Sequence, residues 1–175
     1  MDPVVALVLR GALGALFVFA AVHKLRDRRH FDGTMLDYRI LPARAALSIA
    51  RFLPGVELAL AVGLIAGSGL AALVAAALLT VYGAAIAINL ARGRRSIDCG
   101  CGGPAQPLGP GLVVRNALLA AGALTLLLPV TDRVPGILDF TTVAAAVGAL
   151  MLLYAAAAQL VAQAPWLRSL GSHHD

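Results

Sequence analysis

Five long apolar stretches constrain this chain more than anything else in it: Val4 to Val22, Ala45 to Ala66, Leu70 to Leu90, Leu112 to Val130 and Phe140 to Ala162. Each holds about the 20 helical residues needed to cross a hydrocarbon core. Hydrocarbon satisfies no backbone N–H or C=O, so a spanning segment must be a helix or part of a closed barrel. Runs of Ala, Leu and Val lack the alternation of a barrel strand. The expected fold is therefore all-α, a polytopic membrane bundle of five spanning helices in one domain covering residues 1–175. Composition agrees: 60% of residues are hydrophobic and 13% charged, against about 45–50% and about 25% in a soluble domain.

The first stretch has nothing basic before it and a positive cluster after it, the reverse of an export signal, so it is expected to remain as a mature helix. The longest polar segment, His23 to Pro42, carries Phe31, Met35, Leu36, Tyr38, Ile40 and Leu41, which suits a short amphipathic piece lying in the interface. Pro54 marks a kink in the second span or the point where an interfacial piece turns into it. Gly67-Ser68-Gly69 is a tight turn, and Thr131 to Asp139 joins the last two spans.

The net charge of +5 points to topology rather than to nucleic acid, because the basic residues flank the spans. Lys24, Arg26, Arg28, Arg29, Arg39, Arg44 and Arg51 lie between spans one and two, Arg92, Arg94 and Arg95 between three and four, and Arg168 after five. All belong to one face. By the positive-inside rule that face is cytoplasmic and the amino terminus is outside.

The loop after the third span reads Arg92-Gly-Arg-Arg-Ser-Ile-Asp98-Cys99-Gly100-Cys101-Gly102-Gly103-Pro104 and holds both cysteines of the chain. They are too close together to staple two helices, so a bond between them is chemical rather than structural. Glycines favour an exposed, bent backbone, and nearby guanidinium groups favour thiolate, although Asp98 opposes this. A disulfide closing so small a ring departs from preferred geometry and is the more easily reduced, which suits an exchange site.

Three ionisable side chains fall inside the spans, where a charge is expensive: Arg10, Glu57 and Arg115. Arg10 belongs to the opposite leaflet and snorkels outward. Glu57 and Arg115 both lie toward the cysteine face, and Glu57 is a candidate partner for Arg115. Asn89, Asn116, His23 and Lys24 converge on the same end. An ion pair that locks the bundle, with asparagines bridging helices, accounts for these groups as well as a catalytic role does. His173 and His174 sit in a polar tail and read as solvated.

The order of these features resembles the MauE family, related in fold to DoxX-like four-helix membrane proteins. The resemblance rests on His23-Lys24-Leu25, Tyr38-Arg-Ile-Leu-Pro42, Leu53-Pro54 leading to Glu57-Leu58, Asn89 with Arg92-Gly93, Asp98-Cys99-Gly100-Cys101, and Arg115-Asn116. It covers the first four helices, leaving a fifth, carboxyl-terminal one. Gly102 departs from the family, which more often has phenylalanine there, and this bears on partner docking. The resemblance implies a multi-pass protein of the bacterial inner membrane, required to mature the disulfide-rich small subunit of methylamine dehydrogenase together with a thioredoxin-like partner, MauD. That maturation takes place outside the cytoplasm, in tension with the side the loop charges indicate.

The leading expectation is thiol–disulfide exchange by Cys99 and Cys101, with Glu57 moving protons, Arg115 stabilising thiolate, and Asn89, Asp98, Asn116 and Arg92 in support. A quinone between the helices is the acceptor such a membrane system would use, though no motif marks its site. Two other classes stay open: a non-catalytic assembly factor, and a carrier of a soft metal bound by paired thiolates.

Overall fold

The computed structural model describes residues 1–100 and 106–171, with 161–171 described as helix backbone only. Cys101, Gly102, Gly103, Pro104 and the His173–His174 tail lie outside the described residues. Six helices follow one another: α1 Pro3–Arg26, α2 Arg28–Asp37, α3 Ala43–Ile65, α4 Gly69–Ala91, α5 Pro110–Thr125 and α6 Ile137–Gly171. The chain is an all-α, polytopic membrane bundle, as its apolar stretches require.

Aspartates fix the first two helices. The Asp2 carboxylate accepts from the Val4 N–H at 2.7 Å, with Pro3 as first helical residue. Asp27 ends α1, and its carboxylate accepts from the His30 N–H at 3.0 Å to start α2. Consequently α1 does not stop at Val22 but carries His23 and Lys24 in its last turn. The expected interfacial piece is the regular helix α2, which buries Phe31 and Thr34.

At the far end, Gly67 adopts φ +81° in the α3–α4 turn, and a Cβ there would come 3.1 Å from the Arg10 guanidinium. Arg10 thus lies against that turn, away from the cysteines. Pro54 is buried within α3, which runs as one helix through it.

Four helices have the length and apolarity to cross a membrane: α1, α3, α4, and α6 over Ile137–Leu160. The fourth expected span differs. α5 has 16 residues, about 24 Å at 1.5 Å per residue against a core of about 30 Å. Beyond it Leu126, Leu127 and Leu128 donate to carbonyls three residues back, which tightens the chain into turns before Pro129. These turns meet the start of α1, where the Met1 ammonium donates to the Pro129 carbonyl at 2.7 Å and Thr131 N–H to the Met1 carbonyl at 3.0 Å. Arg115, at the other end of α5, reaches the cysteine loop, so α5 with its turns runs the depth of the bundle.

The main core joins Leu13 and Phe17 of α1, Leu60 and Leu64 of α3, Leu79 of α4 and Ala123 of α5. α6 packs on α1 where Gly11 admits Val147: a Cβ on Gly11 would lie 2.9 Å from Val147 Cγ2. Close approach over a small residue is the usual basis of helix packing in lipid.

Candidate functional site: a cysteine hairpin above a buried polar layer

The loop carrying Cys99 folds back on itself. Leu108 N–H donates to the Ile97 carbonyl at 3.2 Å, Cys99 N–H donates to the Gln106 carbonyl at 2.9 Å, and Asp98 and Pro107 form an antiparallel bridge. One Asp98 oxygen accepts from the Gln106 N–H at 3.0 Å, closing the hairpin from inside. The other lies 2.7 Å from His30 Nε2 of α2. That hydrogen bond holds the His30 imidazole pKa above its ordinary value, with the Asp98 and Asp27 charges adding to it.

α2 lies against this hairpin. Gly100 has φ +67°, and a Cβ there would meet Thr34 Cγ2 at 3.0 Å and touch the Phe31 ring. The glycine of the Cys-Gly-Cys motif is therefore required twice, by its left-handed backbone and by close packing. The Tyr38 hydroxyl donates to the Cys99 carbonyl at 3.0 Å. Burial, with the Asp98 charge adding, pushes the Tyr38 phenol up to about 12, so it remains a donor. Arg92 donates to the Arg39 carbonyl at 3.2 Å, and Arg94 donates to Asn89 Oδ1 at 3.2 Å. Arg92 and Asn89 thus anchor the loop's first residues rather than the Cys99 sulfur.

Cys99 is buried and disulfide-bonded. Arg115 Nη2 lies 3.7 Å from its Sγ, and Arg115 Nη1 donates to the Tyr154 hydroxyl of α6 at 3.1 Å. Asn116 is buried beside them and donates to the Leu112 carbonyl of its own helix at 2.8 Å.

Glu57 does not pair with Arg115. Its Oε1 accepts from Lys24 Nζ at 2.6 Å and from the Tyr82 hydroxyl at 2.7 Å. Lys24 is 3% exposed and Glu57 0%, and they are the single lysine and single glutamate of the sequence. Lys24 Nζ also sits over the Phe31 and Tyr82 rings, at 5.3 and 5.6 Å from their centroids. Glu57 meets Lys24 rather than Arg115 because α1 continues past Val22 and carries Lys24 inward as part of its last turn. Glu57 and Arg115 meet instead across a shared cavity of ≈ 20 Å³, which Lys24, Tyr82, Asn116 and Tyr154 also line. Each spanning helix thereby gives a polar side chain to one layer: Lys24, Glu57, Tyr82, Arg115 and Tyr154. Tyr82 and Tyr154 escaped sequence reasoning because a tyrosine in an apolar run reads as packing. Its buried hydroxyl, which needs a partner, was the available signal.

Fold and site together define a multi-pass helical membrane protein with a cysteine hairpin at one end, seated over a buried ion pair. The sequence profile described as methylamine utilisation protein MauE matches residues 2–129, and the chain belongs to that family. It is 43% identical over 165 residues to the methylamine utilization protein MauE of Paracoccus denitrificans, covering 91% of this chain and 89% of that one. It is 44% identical over 165 residues to the Paracoccus versutus protein of the same name, covering 91% and 88%. Against the Methylorubrum extorquens protein it is 43% identical over 158 residues, covering 87% and 84%. No solved structure matches it.

Proposed function

We propose that this protein acts in methylamine utilisation as a membrane thiol–disulfide exchange protein, passing a disulfide from its Cys99–Gly100–Cys101 hairpin to a thioredoxin-fold partner of the MauD type. That partner in turn serves a disulfide-containing client such as methylamine dehydrogenase. The carrying observation is Cys99, disulfide-bonded in a hairpin held by Asp98 and Tyr38, with the Arg115 guanidinium 3.7 Å from its sulfur.

In the exchange, a partner thiolate attacks one sulfur of the disulfide. A mixed disulfide forms and the other sulfur leaves as thiolate. The second partner thiolate then attacks the mixed disulfide, leaving the partner oxidised and this chain with two thiols. Arg115 stabilises sulfur as an anion, the form that both leaves and attacks. Glu57 Oε2 and Arg115 Nε have no hydrogen-bond partner among the described residues, and both residues line the ≈ 20 Å³ cavity. That space suits a single water, since about 10–15 Å³ is enough for one, which gives Glu57 a path for protons toward Arg115 and the cysteines. The membrane is read as the bacterial inner membrane, and the basic loops favour the cytoplasmic side for this end, whereas a client outside the cytoplasm favours the other.

The test is thiol trapping in intact cells with a membrane-impermeant maleimide and then a permeant one, read by mass shift. The expected result is a pair that is found oxidised, or becomes so when the partner is deleted, and that accumulates as a mixed disulfide with the partner when only the partner's second cysteine is removed. The order of labelling reports the side. If Cys99→Ser with Cys101→Ser still supports methylamine growth, the exchange reading is wrong and the protein is a scaffold.

A further inference from the structure

A second cavity, of ≈ 190 Å³, opens beside Cys99. Lys24, Phe31, Tyr82 and Cys99 are among the residues lining it, and all but the half-buried Tyr82 are almost wholly buried. Its margins include Ile49 of α3 and Val81 of α4, which are 42% and 60% exposed on the surface that faces lipid. Nearly all of the wall is apolar. A cavity of about 150 Å³ with such a wall admits a benzene ring, so this one takes a substituted six-membered ring and leaves a tail to pass out between α3 and α4. Two features separate it from an acyl-chain groove. It is lined by the one described residue that carries a disulfide sulfur, and by a lysine whose ammonium has spent one N–H on Glu57 and keeps others to donate.

We propose that this cavity is the site of a lipid-soluble quinone that reoxidises the cysteine pair. The inference rests on the exchange reading above, because only a dithiol left by exchange needs an acceptor. In that step two S–H bonds break and one S–S bond forms. The two electrons released reduce the quinone ring, and its two carbonyl oxygens each take a proton, giving the hydroquinone. Lys24 hydrogen-bonds the quinone oxygen that enters deepest, and Lys24 and Tyr82, which line both this cavity and the smaller polar one, conduct protons between the sulfurs and that oxygen together with Glu57, which lines the smaller one.

The test uses full-length protein in nanodiscs, reduced, desalted without oxygen and mixed with decyl-ubiquinone. Quinone bleaching and maleimide mass shift are followed together, and diamide serves as a water-soluble oxidant that needs no pocket. Expected are one hydroquinone per disulfide formed and saturation with quinone concentration. Ala85→Leu, which fills the cavity from α4, and Val81→Phe, at its exposed margin, should each raise the half-saturating concentration at least tenfold while diamide still oxidises the pair. If diamide oxidises the thiols but the quinone is never bleached, the quinone site falls and the exchange reading stands. Bleaching that ignores both substitutions overturns the pocket assignment in the same way. Cysteines that resist diamide and quinone alike overturn both readings.

Discussion

Lys24 and Glu57 illustrate how an ion pair buried in lipid differs from one at a surface. Each has lost its water, and the 2.6 Å contact, the Tyr82 hydroxyl and the two ring faces replace that water. Removing one partner strands the other, a loss of about 3–5 kcal/mol for a buried pair. Lys24→Met alone and Glu57→Gln alone should therefore each lower the unfolding temperature of the detergent-solubilised protein sharply. Lys24→Met with Glu57→Gln should recover part of that loss, because no charge is left unmatched. A double variant as unstable as the sum of the two would show that the residues do not interact. Gly100 offers a second test at this scale. Gly100→Ala forces a side chain onto a φ of +67° and against Thr34, and a strained non-glycine residue of this kind costs about 1–3 kcal/mol. The expected outcome is a hairpin lifted from α2 and faster maleimide labelling of Cys99 after reduction; labelling at the wild-type rate would refute it.

At the scale of elements, α2 holds the hairpin through the His30–Asp98 contact, and that contact depends on pH. The His30 pKa is raised in the folded protein, first by its hydrogen bond to Asp98. A raised folded value means that the stabilising contribution is complete below the ordinary histidine value of about 6.5 and is lost as pH climbs through the higher folded value. His30 is about half exposed, so solvent weakens the effect. Wild type should exceed His30→Gln in thermal stability at pH 5.5, and the gap should close by pH 8.5. A gap that widens with pH would reverse the assignment. The element boundaries also show what a sequence conveys. The spans were legible because lipid demands about 20 apolar residues, and the cysteine loop because its glycines announce a bend. The true end of α1 was not legible, since Asp27 rather than the first polar residue stops it. Nor was the shortness of α5, because Leu126 to Leu128 are as apolar as the helix before them and differ only in turning.

Across the whole molecule, the surroundings of Cys99 depend on a helix that carries none of the motifs on which the family resemblance rests. α6 supplies Tyr154 to Arg115, and its Ala158 carbonyl accepts from Gln106 Nε2 at 2.6 Å at the base of the hairpin. It is nevertheless held chiefly by α1, across the close approach of Gly11 and Val147. A defect at that crossing should propagate some distance to the cysteines, because Arg115 has Tyr154 on one side and Cys99 on the other. Gly11→Ala places a methyl group 2.9 Å from Val147 Cγ2, and overpacking of this kind costs about 1–3 kcal/mol. With α6 displaced, Arg115 loses its tyrosine, and the rate of disulfide exchange with the partner should fall although no residue near the sulfurs has changed. Val147→Ala introduced beside Gly11→Ala removes the clash and should restore both stability and exchange rate, measured by thermal unfolding and by mixed-disulfide formation. Rescue of stability without rescue of exchange would mean that α6 only supports the bundle, and that the position of Arg115 is set by α5 alone.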